Sequence, residues 1–133
     1  MGPAVRARAV GRTERAGALG RAVGSGTIRE PSAFNIGLTA VDTEAAGEVP
    51  ILDGDSFVGA RRIDLIKIDV EGAEVDVLEG LMSVLRRDRP AVYIEVSATT
   101  HNQVMNLFVN LDYRLQRATA VYDKQFNLTI LPN

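Results

Sequence analysis

Residues 63–72 read Ile63-Asp64-Leu65-Ile66-Lys67-Ile68-Asp69-Val70-Glu71-Gly72, and the reading of this stretch decides the fold. Five of its residues (Ile63, Leu65, Ile66, Ile68 and Val70) are branched and apolar, and they fall on both sides of a two-residue repeat. That pattern predicts a strand over 63–70 buried on both faces, as in parallel sheets. Gly72 ends it. The question it raises is why Lys67, Asp69 and Glu71 interrupt a run otherwise fit for an interior.

Working outward, Val75, Leu78, Met82 and Leu85 recur at helical spacing and predict a helix over 74–87. Arg86 and Arg87 suit its C-terminus, where the helix dipole favours cations, and Pro90 prevents continuation. Ala91–Val96 reads as a second buried strand. A helix over 100–111 follows, capped by Thr99 or Thr100, with Val104, Leu107, Phe108 and Leu111 inward. Tyr113–Thr119 and Gln125–Leu131 read as two strands joined by a turn at Tyr122-Asp123-Lys124. Upstream, 27–50 reads as a loop with weak strands near Leu38–Val41 and Val49–Leu52, the latter closed by a turn at Asp53-Gly54-Asp55. The order implies an α/β fold: a parallel sheet with a C-terminal antiparallel hairpin at one edge.

The chain has 133 residues, 46% hydrophobic and 24% charged, an ordinary globular composition for one domain. It contains no Cys, which excludes disulfides and thiolate metal sites. No apolar run reaches membrane-spanning length, so the expectation is a cytoplasmic protein with no membrane partner. Residues 1–26 hold five Arg against Glu14 alone, a charge of +4, which leaves −6 on the rest of a chain whose net charge is −2. The basic, Ala/Gly-rich 1–26 segment reads as a poorly ordered leader and 27–133 as the folded part. The acidic body argues against nucleic acid as a partner.

In open parallel sheets, ligands bind beyond the carboxyl ends of the strands. Asp69 and Glu71 end the first strong strand and Glu95 nearly ends the second, so three carboxylates converge on one rim. Bare burial of such acids is costly, so they are expected to be solvated or used. Lys67 lies two residues before Asp69 on the same face and can pair with it. A purely structural reading has Asp69 and Glu71 accept backbone N–H groups of the following helix, and the two readings are compatible. His101, the single His, starts the second helix on the same rim; it is either a base or a solvated helix-start residue. No His or Asn spacing supports a divalent cation beside Asp69, Glu71 and Glu95, so no metal is assigned.

These residues resemble a known family. Val49-Pro50-Ile51-Leu52-Asp53, then IDLIKIDVEGAEVDVLEG, then Arg89-Pro90-Ala91-Val92-Tyr93-Ile94-Glu95-Val96 are similar to the FkbM family of S-adenosylmethionine-dependent methyltransferases. Lys67, Asp69, Glu71, Gly72, Glu74, Leu78, Gly80, Pro90 and Glu95 match in order and spacing. Phe34-Asn35-Ile36-Gly37 resembles the family's upstream N-x-G segment, so the likeness covers about residues 34–133.

The resemblance implies the Rossmann-like class I methyltransferase fold and an O-methyltransferase acting on a hydroxyl of a sugar or other small metabolite. S-adenosylmethionine would be the cofactor. Asp69, Glu71, Glu95 and His101 would then be the catalytic candidates, with Lys67, Asp69 and Gly72 beside the cofactor. The family holds the cofactor mainly in its first half, by a Gly-rich turn after one strand and an acid ending the next. Gly24-Ser25-Gly26 is the nearest candidate for that turn, but no apolar strand precedes it. The segment from there to Lys67 is also too short for the missing strand–helix units. The expectation is therefore a truncated, C-terminal portion of the domain. Such a portion would be incomplete as an enzyme, or a catalytically inactive assembly or binding module. Strand 63–70 would then be an exposed edge, covered by residues 27–52, by self-association or by a partner chain.

Overall fold

The computed structural model describes residues 18–29, 40–42, 49–70, 72–122 and 124–133. Residues 1–17, the Phe34–Gly37 segment, Glu71 and Asp123 lie outside the described residues.

Two four-stranded sheets organise the chain. The first holds β1 (Ala18–Gly20), β2 (Gly24–Arg29), β3 (Ala40–Asp42) and β4 (Val49–Asp53) in the order β1-β4-β2-β3. The second holds β5 (Leu65–Ile68), β6 (Ala91–Ser97), β7 (Tyr113–Tyr122) and β8 (Gln125–Pro132) in the order β5-β6-β8-β7. There β5 and β6 are adjacent and parallel, with Ile66 opposite Val92 and Ile68 opposite Ile94. Strand β8 runs antiparallel to both β6 and β7. The predicted parallel pair and C-terminal hairpin are thus both present, in a mixed α/β sheet.

Part of the 1–26 segment that composition reads as poorly ordered is in strands. Ala18–Gly20 pairs in parallel with β4, and Gly24-Ser25-Gly26 pairs antiparallel with Val49–Ile51. Small residues lack the apolar period that marks a strand, yet they offer no obstacle to backbone pairing once β4 supplies an edge. Their strand state is therefore silent in composition.

The predicted helix 74–87 is two helices, α2 (Glu74–Gly80) and α3 (Met82–Asp88). Two features meet at the break, a tight turn and a contact from a strand remote in sequence. The Leu81 N–H turns back to Leu78 O at 3.0 Å, a tighter turn than the helical ladder. Gly80 lies so close to β1 that a Cβ there would stand 2.2 Å from Gly20 O. Asp55 then caps α3 from outside, its carboxylate accepting the N–H groups of Ser83 (3.0 Å) and Val84 (2.9 Å). Asp53-Gly54-Asp55, predicted as a turn, in fact opens α1 (Gly54–Val58). Asp53 is its N-cap, accepting the Ser56 N–H at 2.8 Å.

The core is one-sided. Val92, Ile94, Val96, Leu128 and Ile130 point from the second sheet onto Val77, Leu78, Val84 and Leu85 of α2 and α3, and onto Val104 and Phe108 of α4 (His101–Asn110). Tyr93, Glu95 and Ser97 alternate to the other face, so β6 is fully buried on one face only, although its sequence reads as a strand buried on both. The two-faced burial expected of β5 is not found: Ile68 is buried, but Leu65 is 66% exposed. The described residues of segment 27–52 do not cover it either. Its described strands pair within the first sheet, and among the described residues β6 is the single neighbour of β5.

Charged side chains tie the loops down rather than merely serving the helix dipole. Arg87 forks onto Asp88 at 2.7 Å and donates to the carbonyls of Gly59 and Arg61, both at 2.7 Å. Asp88 also accepts the Ile63 N–H at 2.9 Å, fixing the entry to β5. The Arg87 bond, with the Ile63 N–H, holds the Asp88 carboxyl down to about 2. A carboxyl lowered on folding stabilises the fold above its unfolded value of about 3.9 and loses that contribution as pH falls toward its folded value. Acid titration followed by circular dichroism is expected to show a stability loss between those two values that Asp88→Asn reduces. An unchanged acid transition in the variant would remove Asp88 from this role.

Candidate functional site

Strands β5 and β6 end on the same rim because they are parallel, and the sequence places a polar residue at each end. Asp69 follows Ile68 directly, and its side chain is exposed and paired with Lys67 at 3.7 Å, the pairing that the same-face spacing predicts. An exposed pair of this kind contributes little to stability. Glu95 lies one strand inward. Burial pushes its carboxyl up, the Asp69 charge adds to the rise, and Lys67 opposes it. The two strand ends therefore sense each other electrostatically.

Between β5 and α2 the chain turns at Gly72, with φ +100°, a conformation that favours glycine. Glu74, the first residue of α2, reaches back and accepts the Gly72 N–H through Oε1 at 2.6 Å. Glu74 thus holds the loop's backbone, a role the sequence reading did not give it. Glu74 is only 2% exposed, and among the described residues no donor reaches its Oε2. A buried carboxylate with one oxygen unsatisfied is expensive and marks a place where another donor belongs.

That oxygen belongs to a side chain lining a cleft of about 250 Å³, whose described walls are Gly72, Glu74, Glu95, Ser97, Thr99 and Gln125. Ser97 and Glu95 come from β6. Gln125 comes from β8, directly opposite Ser97, and Asn127 stands opposite Glu95. The Asn127 Oδ1 is buried and also lacks a donor among the described residues. Ser97 Oγ shares a hydrogen bond of 2.6 Å with Thr99 Oγ1, which fixes the far wall.

Of the predicted site residues, Gly72 and Glu95 line the cleft, and Asp69 and Lys67 stand beside it on the strand end. His101 does not line it; its Nδ1 lies 3.3 Å from Asn102 Oδ1, and its ring meets Phe126 edge-on at 6.0 Å. Glu71 is outside the described residues. The sequence reading missed Glu74, Gln125 and Asn127. Glu74 carried a usable signal, an acid two residues beyond a strand-ending glycine, whereas the two amides are brought in by pairing that spacing does not reveal. Among the described residues no group of three or more His, Cys, Asp or Glu side chains is arranged to hold a metal ion.

A family model described as the methyltransferase FkbM domain matches residues 10–115. The chain belongs to that family. The match begins well before the segment in which the motif resemblance is legible, and it takes in β1 to β6 and α4. No curated protein and no solved structure matches the chain.

The methyl donor of FkbM enzymes, S-adenosylmethionine, needs a cradle as well as a rim. In this FkbM chain, Gly24-Ser25-Gly26 lies within a paired strand and cannot wrap a ligand. No other glycine-rich strand–turn–helix occurs among the described residues, and none of them pairs along the outer edge of β5 to bring in a ribose-binding acid. The described residues do not fit the adenosine part of the cofactor. What they build is a polar wall at the carboxyl ends of β5 and β6. Among the described residues, no helix is long and apolar enough to cross a membrane.

Proposed function

We propose that the chain forms the acceptor-binding wall of an FkbM-type O-methyltransferase site, within a Rossmann-like arrangement that the parallel β5–β6 pair and its intervening helices support. The cofactor's adenosine cradle comes from outside the described residues. The observation that carries this reading is the cleft at the carboxyl ends of β5 and β6, lined by hydrogen-bonding groups and holding a raised carboxyl, Glu95. Methylating a hydroxyl requires its proton to leave, and a carboxylate above the ordinary range is better matched to that task. Glu95 is therefore the base of choice. Asp69 helps to set its field, and Glu74 positions the Gly72 turn. The acceptor is a small hydroxyl compound, such as a sugar.

Calorimetric titration with S-adenosylmethionine, followed by transfer of a labelled methyl group to a panel of sugars with cofactor in excess, tests the proposal. Binding weaker than micromolar is expected of the chain by itself, with transfer to oxygen where transfer occurs. Micromolar binding would place the cradle within the chain itself. Methylation at nitrogen or carbon alone would defeat the O-methyl assignment.

A further inference from the structure

One wall of the cleft carries an unmet acceptor. Glu74 Oε2 is buried without a donor among the described residues, and Glu95 beside it adds a further acceptor; Asn127 Oδ1, behind Glu95 on β8, is a second buried acceptor without a donor. An acceptor left dry in a low-dielectric site is costly, and the group that best relieves several at once is a compact cation with several N–H bonds. Local charge points the same way. Asp69 and Glu74 reinforce the Glu95 carboxylate, and the charge that opposes them at Glu95 is Lys67, which already faces Asp69.

The rest of the lining narrows the ligand's shape. Ser97 and Thr99 offer hydroxyls, Gln125 an amide and Gly72 a bare peptide, and no aromatic or aliphatic side chain occurs among the described lining residues. Sites for drug-sized ligands are mostly apolar and run to roughly 300–1,000 Å³, so this smaller, polar cleft is suited to a single hydroxyl-rich ring rather than a hydrocarbon skeleton.

Resting on the methyl-acceptor reading above, we propose that the preferred acceptor is an amino sugar: a polyol whose protonated amine sits between Glu74 and Glu95 while its hydroxyls meet Ser97, Thr99 and Gln125. The ammonium lies beside the buried Glu74 carboxylate and donates to one Glu95 oxygen, which leaves the other Glu95 oxygen to face a neighbouring hydroxyl and take its proton. Specificity then comes from unsatisfied acceptors, which a neutral sugar of the same shape leaves partly unpaired.

The test uses the whole chain, labelled with nitrogen-15 and titrated near neutral pH with glucosamine, glucose and N-acetylglucosamine in parallel. Glucosamine is expected to shift the backbone amides of Gly72 and Gln125 and to bind at least about tenfold more tightly than either neutral sugar, the ratio equivalent to one charge-assisted hydrogen bond. Glu95→Gln should remove that preference. Glu74→Gln should as well, but Glu74 also holds the Gly72 turn, so the rim substitution decides if the buried one fails to fold. Equal binding of glucose, or shifts confined to other residues, overturns the proposal. So does competitive displacement of glucosamine by S-adenosylhomocysteine, which would make this the cofactor's cation site. Because the titration contains no methyl donor, its failure leaves methyl transfer to a neutral hydroxyl untouched. Conversely, absent methyl transfer would leave the binding preference standing.

Discussion

Replacing Glu95 with Gln is expected to lower the rate of methyl transfer by about 10²–10⁴-fold, the range associated with a positioned general base. The change keeps volume and one acceptor oxygen but removes the group that takes the hydroxyl proton. The neighbours of Glu95 along β6, Ile94 and Val96, point into the core, while Glu95 itself points into the cleft. Since β6 is anchored by those two residues, the substitution should leave the fold intact. The pH profile gives a second readout. Burial and the Asp69 charge raise the Glu95 carboxyl, so the active, deprotonated form is lost on acidification at a higher pH than for an ordinary carboxylate. The wild-type rate should therefore fall on the acid side, and the variant should lose that limb. A variant that keeps its rate within about tenfold, well short of the general-base range, would move the role elsewhere on the rim.

Phe108→Ala should be the most damaging single truncation of the core, costing about 3–5 kcal/mol. Domains of this size have roughly 5–15 kcal/mol in total, so the variant stands close to unfolding. Phe108 is 0% exposed and is the largest of the fully buried side chains. Its ring lies 5.4 Å from that of Tyr113 at 56°, and the Tyr113 hydroxyl donates to Leu85 O at 3.2 Å. Removing the ring therefore opens a void where α4, β7 and α3 meet. Urea denaturation followed by circular dichroism measures the loss. A cost below about 1 kcal/mol, less than a single buried methylene commonly costs with its cavity, would show that the core around α4 re-closes.

Much of the second sheet was legible because its signals are local. The strand at 91–97, the helix from His101 and the terminal hairpin each announce themselves by period and by turn residues. The break at Leu81 was not legible, since its causes are a backbone contact from β1 and a cap supplied by Asp55, both remote in sequence. In the first sheet the strands near Val41 and at Val49–Leu52 were legible, whereas β1 and β2 were silent for the same reason. Gly24-Ser25-Gly26 becomes a strand through pairing with β4, and no side-chain pattern records that pairing. At the site, the residues of the strand ends were found because alternation places them there. Glu74 was overlooked because a helix-start acid usually faces solvent, and here it turns back under the loop. The overreading of β5 has a physical origin as well: β-branched residues favour strands whether one face is covered or two.

The close approach of Gly20 to Gly80 gives the molecule a seam. Around that contact, Arg21 bridges outward to Asp76 at 3.0 Å and also pairs with Glu79, in ion pairs that are largely exposed. Such pairs hold weakly. The joint between β1 and α2 therefore depends on shape at one point: any side chain at position 80 would run into the Gly20 carbonyl, so Gly80 acts as a keyhole for the strand.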